Sequence, residues 1–197
     1  MLRLALVGPD TLLLSTLCAA CPEGPLGCCI APPSYDWSDV GRVVLHGGRD
    51  FLLDALAAGH VVASARGLDL RRVRRRDDPR HPREKKCVFH GPRGCTILPS
   101  LRPATCNYFL CDAAYEAGGA SRGEPLAALV RARHRALIGS FTAWDEALGR
   151  EVAEVYPDGP PWDGPFLDWL ADATARVMGP EAPARSDESA PGAPERL

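Results

Sequence analysis

The sequence predicts a mainly α, irregular domain in which cysteine-rich loops cluster around metal and pack on several helices. Three observations lead there. All eight cysteines fall in two groups, one within residues 18–29 and one within 87–111. Turn-forming runs, Pro22 to Gly27 and Ala31 to Ser34, adjoin the first group, and loops wrap an ion more readily than helices do. After Cys111 the apolar residues recur at helical spacing.

A chain of 197 residues can bury one real core, and 46% hydrophobic content is ordinary for a soluble protein. The formal net charge of −2 makes no global case for a nucleic-acid or membrane partner. Leu12 to Leu14 and Ala19-Ala20 imitate a secretory leader, but Gly8-Pro9-Asp10 splits the apolar run. No later run approaches the ~18 apolar residues of a membrane span. The expected compartment is therefore the cytoplasm, where thiols stay reduced and cysteine clusters hold metal.

The elements follow in order. Leu2 to Val7 reads as a strand or a buried lead-in, and Arg42 to His46 as a brief β-like run. Asp50 to Ala58 reads as a helix stopped by Gly59, through Phe51, Leu52, Ala55 and Leu56. Val61 to Ala65 is a short strand or a second helical piece. Residues 66–86 carry ten Arg or Lys against four Asp or Glu, a local net of +6. With no aromatic residue interleaved for base stacking, this basic insertion reads as a solvated loop. Pro125 opens the best helix, with Leu126, Leu129, Val130, Leu137, Ile138, Phe141, Trp144 and Leu148 along one face. It ends near Gly149 or runs on towards Tyr156, and His134 lies on or beside its apolar face. A last helix spans about 165–178. Residues 1–178 make one domain, and 179–197 are expected to be a disordered tail.

The cysteines carry the chemistry. Cys18 and Cys21 form a CxxC, and Cys28 and Cys29 are neighbours. Cys87, Cys95, Cys106 and Cys111 follow at gaps of 8, 11 and 5. Thiolates are soft ligands that suit zinc, Cu(I) or iron–sulfur clusters. A structural zinc takes four at tetrahedral corners, so eight could fill two zinc sites, or one iron–sulfur cluster and other sites. Adjacent side chains of an extended chain point opposite ways. Cys28 and Cys29 therefore either feed two centres, or one binds while the other stays free or buried. Gly91-Pro92-Arg93-Gly94 lets Cys87 and Cys95 fold back on one another. Arg102-Pro103 stiffens the approach to Cys106. Arg102 is either a carbonyl partner, a counter-charge to the thiolates or a surface residue, and His90 reads as a loop residue. Asp36, Asp39, Asp112 and Glu116 read as surface carboxylates.

These elements together resemble the YkgJ-like cysteine-cluster proteins: Cys18 and Cys21, Cys28 and Cys29, Cys87-Val-Phe89, Gly94-Cys95-Thr-Ile97, Arg102-Pro103-Ala-Thr-Cys106 and Cys111. The resemblance spans residues 18–111. It implies chelation of zinc or iron, with an iron–sulfur cluster among the options, through Cys18, Cys21, Cys28, Cys29, Cys87, Cys95, Cys106 and Cys111. Flagellin lysine methylases carry a similar cluster, so the resemblance also implies redox or protein-modifying chemistry as an alternative. Further alternatives are a non-catalytic zinc-stabilised module that binds a protein partner, and a disulfide-bonded secreted protein. The chain holds no HExxH, GxSxG, P-loop, GxGxxG or CxxxCxxC, so the sequence names no catalytic residue.

Overall fold

A helix with no solvent-facing side, α1 (Trp37–Leu45), lies at the centre of the molecule: all nine of its residues are buried. The computed structural model of the chain describes residues 2–5, 8–20, 27–74, 85–91 and 94–185. Ahead of α1, β1 (Leu2–Ala5) and β2 (Leu12–Ser15) form an antiparallel hairpin. Gly8-Pro9-Asp10 makes its turn. β3 (Tyr35–Asp36) leads directly into α1. Next come α2 (Arg49–Ala57), β4 (Val61–Ser64) and β5 (Gly67–Leu70), with strand order β3-β5-β4. Two small antiparallel pairs follow, β6 (Arg72–Arg74) with β7 (Lys85–Cys87) and β8 (His90–Gly91) with β9 (Gly94–Cys95). The rest is helical: α3 (Ala104–Tyr108), α4 (Asp112–Ala117), α5 (Pro125–Val155) and α6 (Gly164–Met178). The described chain is thus mainly α, with small sheets. None of its helices is long and apolar enough to cross a membrane.

The β-like reading of Arg42 to His46 is corrected: four of its five residues belong to α1. Val43 and Val44 lower helix propensity only slightly, and burial on every side outweighs that. The Asp145 carboxylate, from α5, accepts the Ser38 N–H at 2.8 Å and so caps the helix start. α1 also lies close against α6. A Cβ at Gly41 would run into the Thr174 side chain and the Leu170 carbonyl. The start of α6 is set by Asp163, whose carboxylate accepts the Phe166 N–H at 2.9 Å.

Two apolar clusters share the interior. The first joins α1, α2 and α6 through Val40, Leu52, Phe166 and Leu170, and takes in Leu68 and Cys87. The second joins the β1–β2 hairpin to α3, α4 and α5 through Leu2, Leu13, Tyr108, Tyr115 and Leu137. α5 serves both, its buried stripe running from Ala127 to Val152. Leu126, Leu129 and Ile138, placed on that stripe by the sequence, instead face solvent at 41, 52 and 47% exposure. The neighbouring elements cover a narrower arc of α5 than its apolar residues span.

The basic insertion is also corrected at its ends. Gly67–Leu70 is the middle strand of a sheet, with Leu68 fully buried. Arg72–Arg74 pairs with Lys85–Cys87. Residues 75–84 lie outside the described residues. Past α6, Gly179–Glu181 forms a 3-10 turn, Ala182 packs on the second cluster and Arg185 pairs with Asp172 at 3.3 Å. Residues 186–197 lie outside the described residues.

Two glycines test this packing with opposite signs. Gly41→Ala should destabilise the fold by about 1–3 kcal/mol, because α1 and α6 must separate to admit the methyl. Gly139→Ala, in an open part of α5, should stabilise it by about 0.5–1 kcal/mol. Urea unfolding of both variants checks the contrast.

Candidate metal centre

Short hydrogen-bonded turns carry the cysteines. Cys28 and Cys29 sit on a 3-10 turn, Cys28–Ile30, rather than on extended chain. Arg72 donates to the Ile30 carbonyl at 3.1 Å and fastens that turn to β6. Cys87 lies directly opposite Arg72 across the β6–β7 pair, so the Cys28–Cys29 turn and Cys87 share one anchor. Cys95 pairs with His90 in the β8–β9 hairpin, the fold-back expected of Gly91 to Gly94. Gly94 has φ of +108°, which side-chain-bearing residues rarely adopt.

Between Cys95 and Cys106 the backbone is held almost carbonyl by carbonyl. Arg102 Nε donates to the Ile97 carbonyl at 2.8 Å, the carbonyl-partner role among those the sequence offers. Asn107 donates to Pro99 O at 2.7 Å and the Tyr35 hydroxyl to Leu101 O at 2.9 Å. Arg42, fully buried on α1, donates to Ser100 O at 3.1 Å and also to Arg102 O. The same guanidinium meets Asp10 at 2.7 Å and Asp39 at 3.3 Å. Asp39 in turn accepts the Ala104 N–H at 2.7 Å, at the start of the helix that carries Cys106. Asp39 is therefore not a surface carboxylate: it is 4% exposed. Burial pushes its carboxyl up to about 7 even though Arg42 and the Ala104 N–H pull it down. Asp36 is half-buried and paired with Arg66 at 2.9 Å. Asp112 and Glu116 are exposed, as expected.

Cys29, Cys87, Cys95 and Cys106 fall within electrostatic reach of one another, and Cys28 reaches Cys29, its neighbour in the chain. Burial pushes Cys29 up to about 12, helped by Cys28, Cys87 and Cys95 and opposed by Lys86. Burial and then Cys95 raise Cys87, against a hydrogen bond from the Phe89 backbone. Cys106 lies at the surface as a residue. Even so, desolvation of its thiol is the first cause of a raised pKa, followed by Cys95, Asp39, Cys29 and Cys87. Such mutual shifts mean that several thiolates cannot coexist there unless a cation compensates them. Thiolates around a divalent ion meet that condition, so this donor set fits zinc or iron. As they stand, no three His, Cys, Asp or Glu side chains among the described residues are close enough to hold an ion.

The other predicted ligands lie elsewhere. Cys111 precedes α4 and packs on the second apolar cluster. Cys18 is exposed on the Thr16–Ala20 turn. Cys21 lies outside the described residues. Cys29, Cys87, Cys95, Cys106 and Cys111 are free thiols.

No family model, curated protein or solved structure matches this chain. Function must therefore be argued from the donors and their surroundings.

Beside α3, where Thr105 adjoins Cys106, a cleft of about 770 Å³ opens between α1 and α5. Its walls include Trp37, Tyr108, Phe109, Asp145 and Glu146. Burial raises the Asp145 carboxyl to about 6, although Ser38 hydrogen-bonds to it. His134, also in the wall, is hydrogen-bonded to the Tyr115 hydroxyl at 2.7 Å, and burial lowers its pKa. The sequence reading missed Arg42, Asp39 and Asp145. The i,i+3 spacing of Asp39 and Arg42 was the one signal available, and it becomes visible only once residues 37–45 are read as a helix.

Arg42→Met should destabilise the fold by about 3–5 kcal/mol, because it leaves buried carboxylates without their cation; thermal unfolding measures this. For Asp145, the folded carboxyl holds its proton more tightly than the unfolded one. Its ionised form therefore costs stability above about pH 6, and that cost fades as pH falls towards the unfolded value of 3.8. Asp145→Asn keeps an acceptor for Ser38, so it should stabilise at pH 8 by about 1–3 kcal/mol, with the gain vanishing near pH 4. A pH series of melting curves distinguishes this from a uniform effect.

Proposed function

We propose that this protein binds zinc or iron, an iron–sulfur cluster included, through a thiolate centre built on Cys28, Cys29, Cys87, Cys95 and Cys106. The observation that carries the reading is the electrostatic reach among Cys29, Cys87, Cys95 and Cys106, delivered by a 3-10 turn, two short strand pairs and α3, with Cys28 beside Cys29. A small closing movement of such turns around an ion would turn an unfavourable set of thiols into a coordinated set of thiolates. Four ligands complete a zinc site, which leaves one of the five as a spare thiol. Cys111 and Cys18 lie outside this centre. The centre belongs to a reduced compartment, so the cytoplasm remains the proposed location.

Because burial raises the thiols of Cys29, Cys87 and Cys106 and metal recruits thiolates, binding must release protons. Zinc titrated into reduced, metal-free protein should release about four protons per ion at pH 7, one per recruited thiol. Calorimetry in two buffers of different ionisation enthalpy reads this number. Cys106→Ser and Cys29→Ser should each lower metal content by at least half, while Cys111→Ser retains it. Equal loss in all three variants, or a release near zero, would overturn the five-thiol centre.

A further inference from the structure

We propose that the cleft between α1 and α5 binds a small organic cation, an ammonium ion joined to an apolar body. The first argument is charge. Among the carboxylates of the wall, Asp36 is matched by Arg66 and Asp39 by Arg42. Asp145 accepts a neutral backbone N–H from Ser38, and Glu146 is exposed on the next position of α5. Neither Asp145 nor Glu146 forms an ion pair among the described residues. Burial keeps His134 from supplying a positive charge at neutral pH. Arg66 also lines the cleft and lies within electrostatic reach of Asp145, but it is paired with Asp36, so the wall holds more carboxylates than cations.

The second argument is the wall itself. Phe109 and Ile138, 44% and 47% exposed, line the same space and form most of its apolar surface, with the buried rings of Trp37 and Tyr108 behind them. Aromatic faces attract cations through the ring quadrupole and give an apolar body a surface to pack on. An anion would meet Asp145 and Glu146, and a neutral polar ligand would leave both charges unanswered. The volume, about 770 Å³, falls within the ~300–1,000 Å³ range of small-molecule sites. The charge and the rings thus select the same class of ligand. The inference stands apart from the metal reading, since none of these residues is a thiol.

The test uses three probes of nearly one shape on the full-length protein: 2-phenylethylammonium, 2-phenylethanol and 3-phenylpropionate. Calorimetry, with Trp37 indole resonances as a local reporter, should show saturable binding of the ammonium. Its affinity should exceed that of the alcohol by about tenfold, as expected when a charged partner and aromatic faces act together. The carboxylate should not bind. Glu146→Gln, at an exposed position, and Asp145→Asn should each weaken the ammonium several-fold without lowering the melting temperature. Equal binding of alcohol and ammonium, preference for the carboxylate, indifference to both substitutions, or no saturable binding would each overturn the proposal.

Discussion

The structure depends on one buried arginine. Arg42 sits on a helix with no exposed side, and its guanidinium can be tolerated there only because acceptors converge on it from three parts of the chain. Asp10 comes from the turn of the N-terminal hairpin, Asp39 from the same helix, and two carbonyls from the segment leading to Cys106. Burying a guanidinium is costly unless its donors are matched. The requirement therefore works in reverse as well: wherever Arg42 is buried, those three segments must be in place. Asp10 answers this with a carboxyl held below the ordinary carboxylate range. Its burial is outweighed by His46, which bonds to it at 2.8 Å, and by Arg42. Asp39 extends the arrangement to the Ala104 N–H, and so to the first turn of α3.

This buried polar network explains how loops with little regular structure can present thiols in a fixed relation. Between Cys95 and the start of α3 at Ala104 the chain contains one 3-10 turn and no α-helix or long strand. Its carbonyls are instead bound by Arg102, Asn107, Tyr35 and Arg42. Arg72 does the corresponding work for the Cys28–Cys29 turn. Arginine and tyrosine side chains thus brace the Cys28–Cys29 turn and the approach to Cys106. Preorganisation of this kind would place the proposed ligands before any ion arrives, and would leave side-chain rotation and small backbone shifts to coordination.

The long elements were legible in the sequence because their signals are local and repeated. Pro125 opens α5 as expected, and the 7-4-3-4 spacing from Val130 to Leu148 traces its buried stripe. The short α6 was equally plain. α1 was not legible, because a helix buried on all sides has no polar face to set its period, and Val43-Val44 then looks like strand. Leu68 and Leu70 hid among arginines for the opposite reason: two apolar residues in a charged run are too few to show alternation. For the site, the cysteine spacings indicated the fold-back at Gly91 to Gly94, and the metal chemistry read from them stands as a proposal. They did not separate Cys106, tied to Asp39 through α3, from Cys111, packed on the second cluster. A gap of five residues cannot tell which of two cysteines a core will cover.

The most direct test of the central claim is X-ray absorption at the edge of whatever metal co-purifies with the anaerobically prepared protein. The account predicts a first shell of sulfur alone, about four atoms at ~2.3 Å if the metal is zinc, or sulfur with a short iron–iron distance if it is a cluster. A shell made mainly of nitrogen and oxygen would contradict it, because the proposed donors are all thiols.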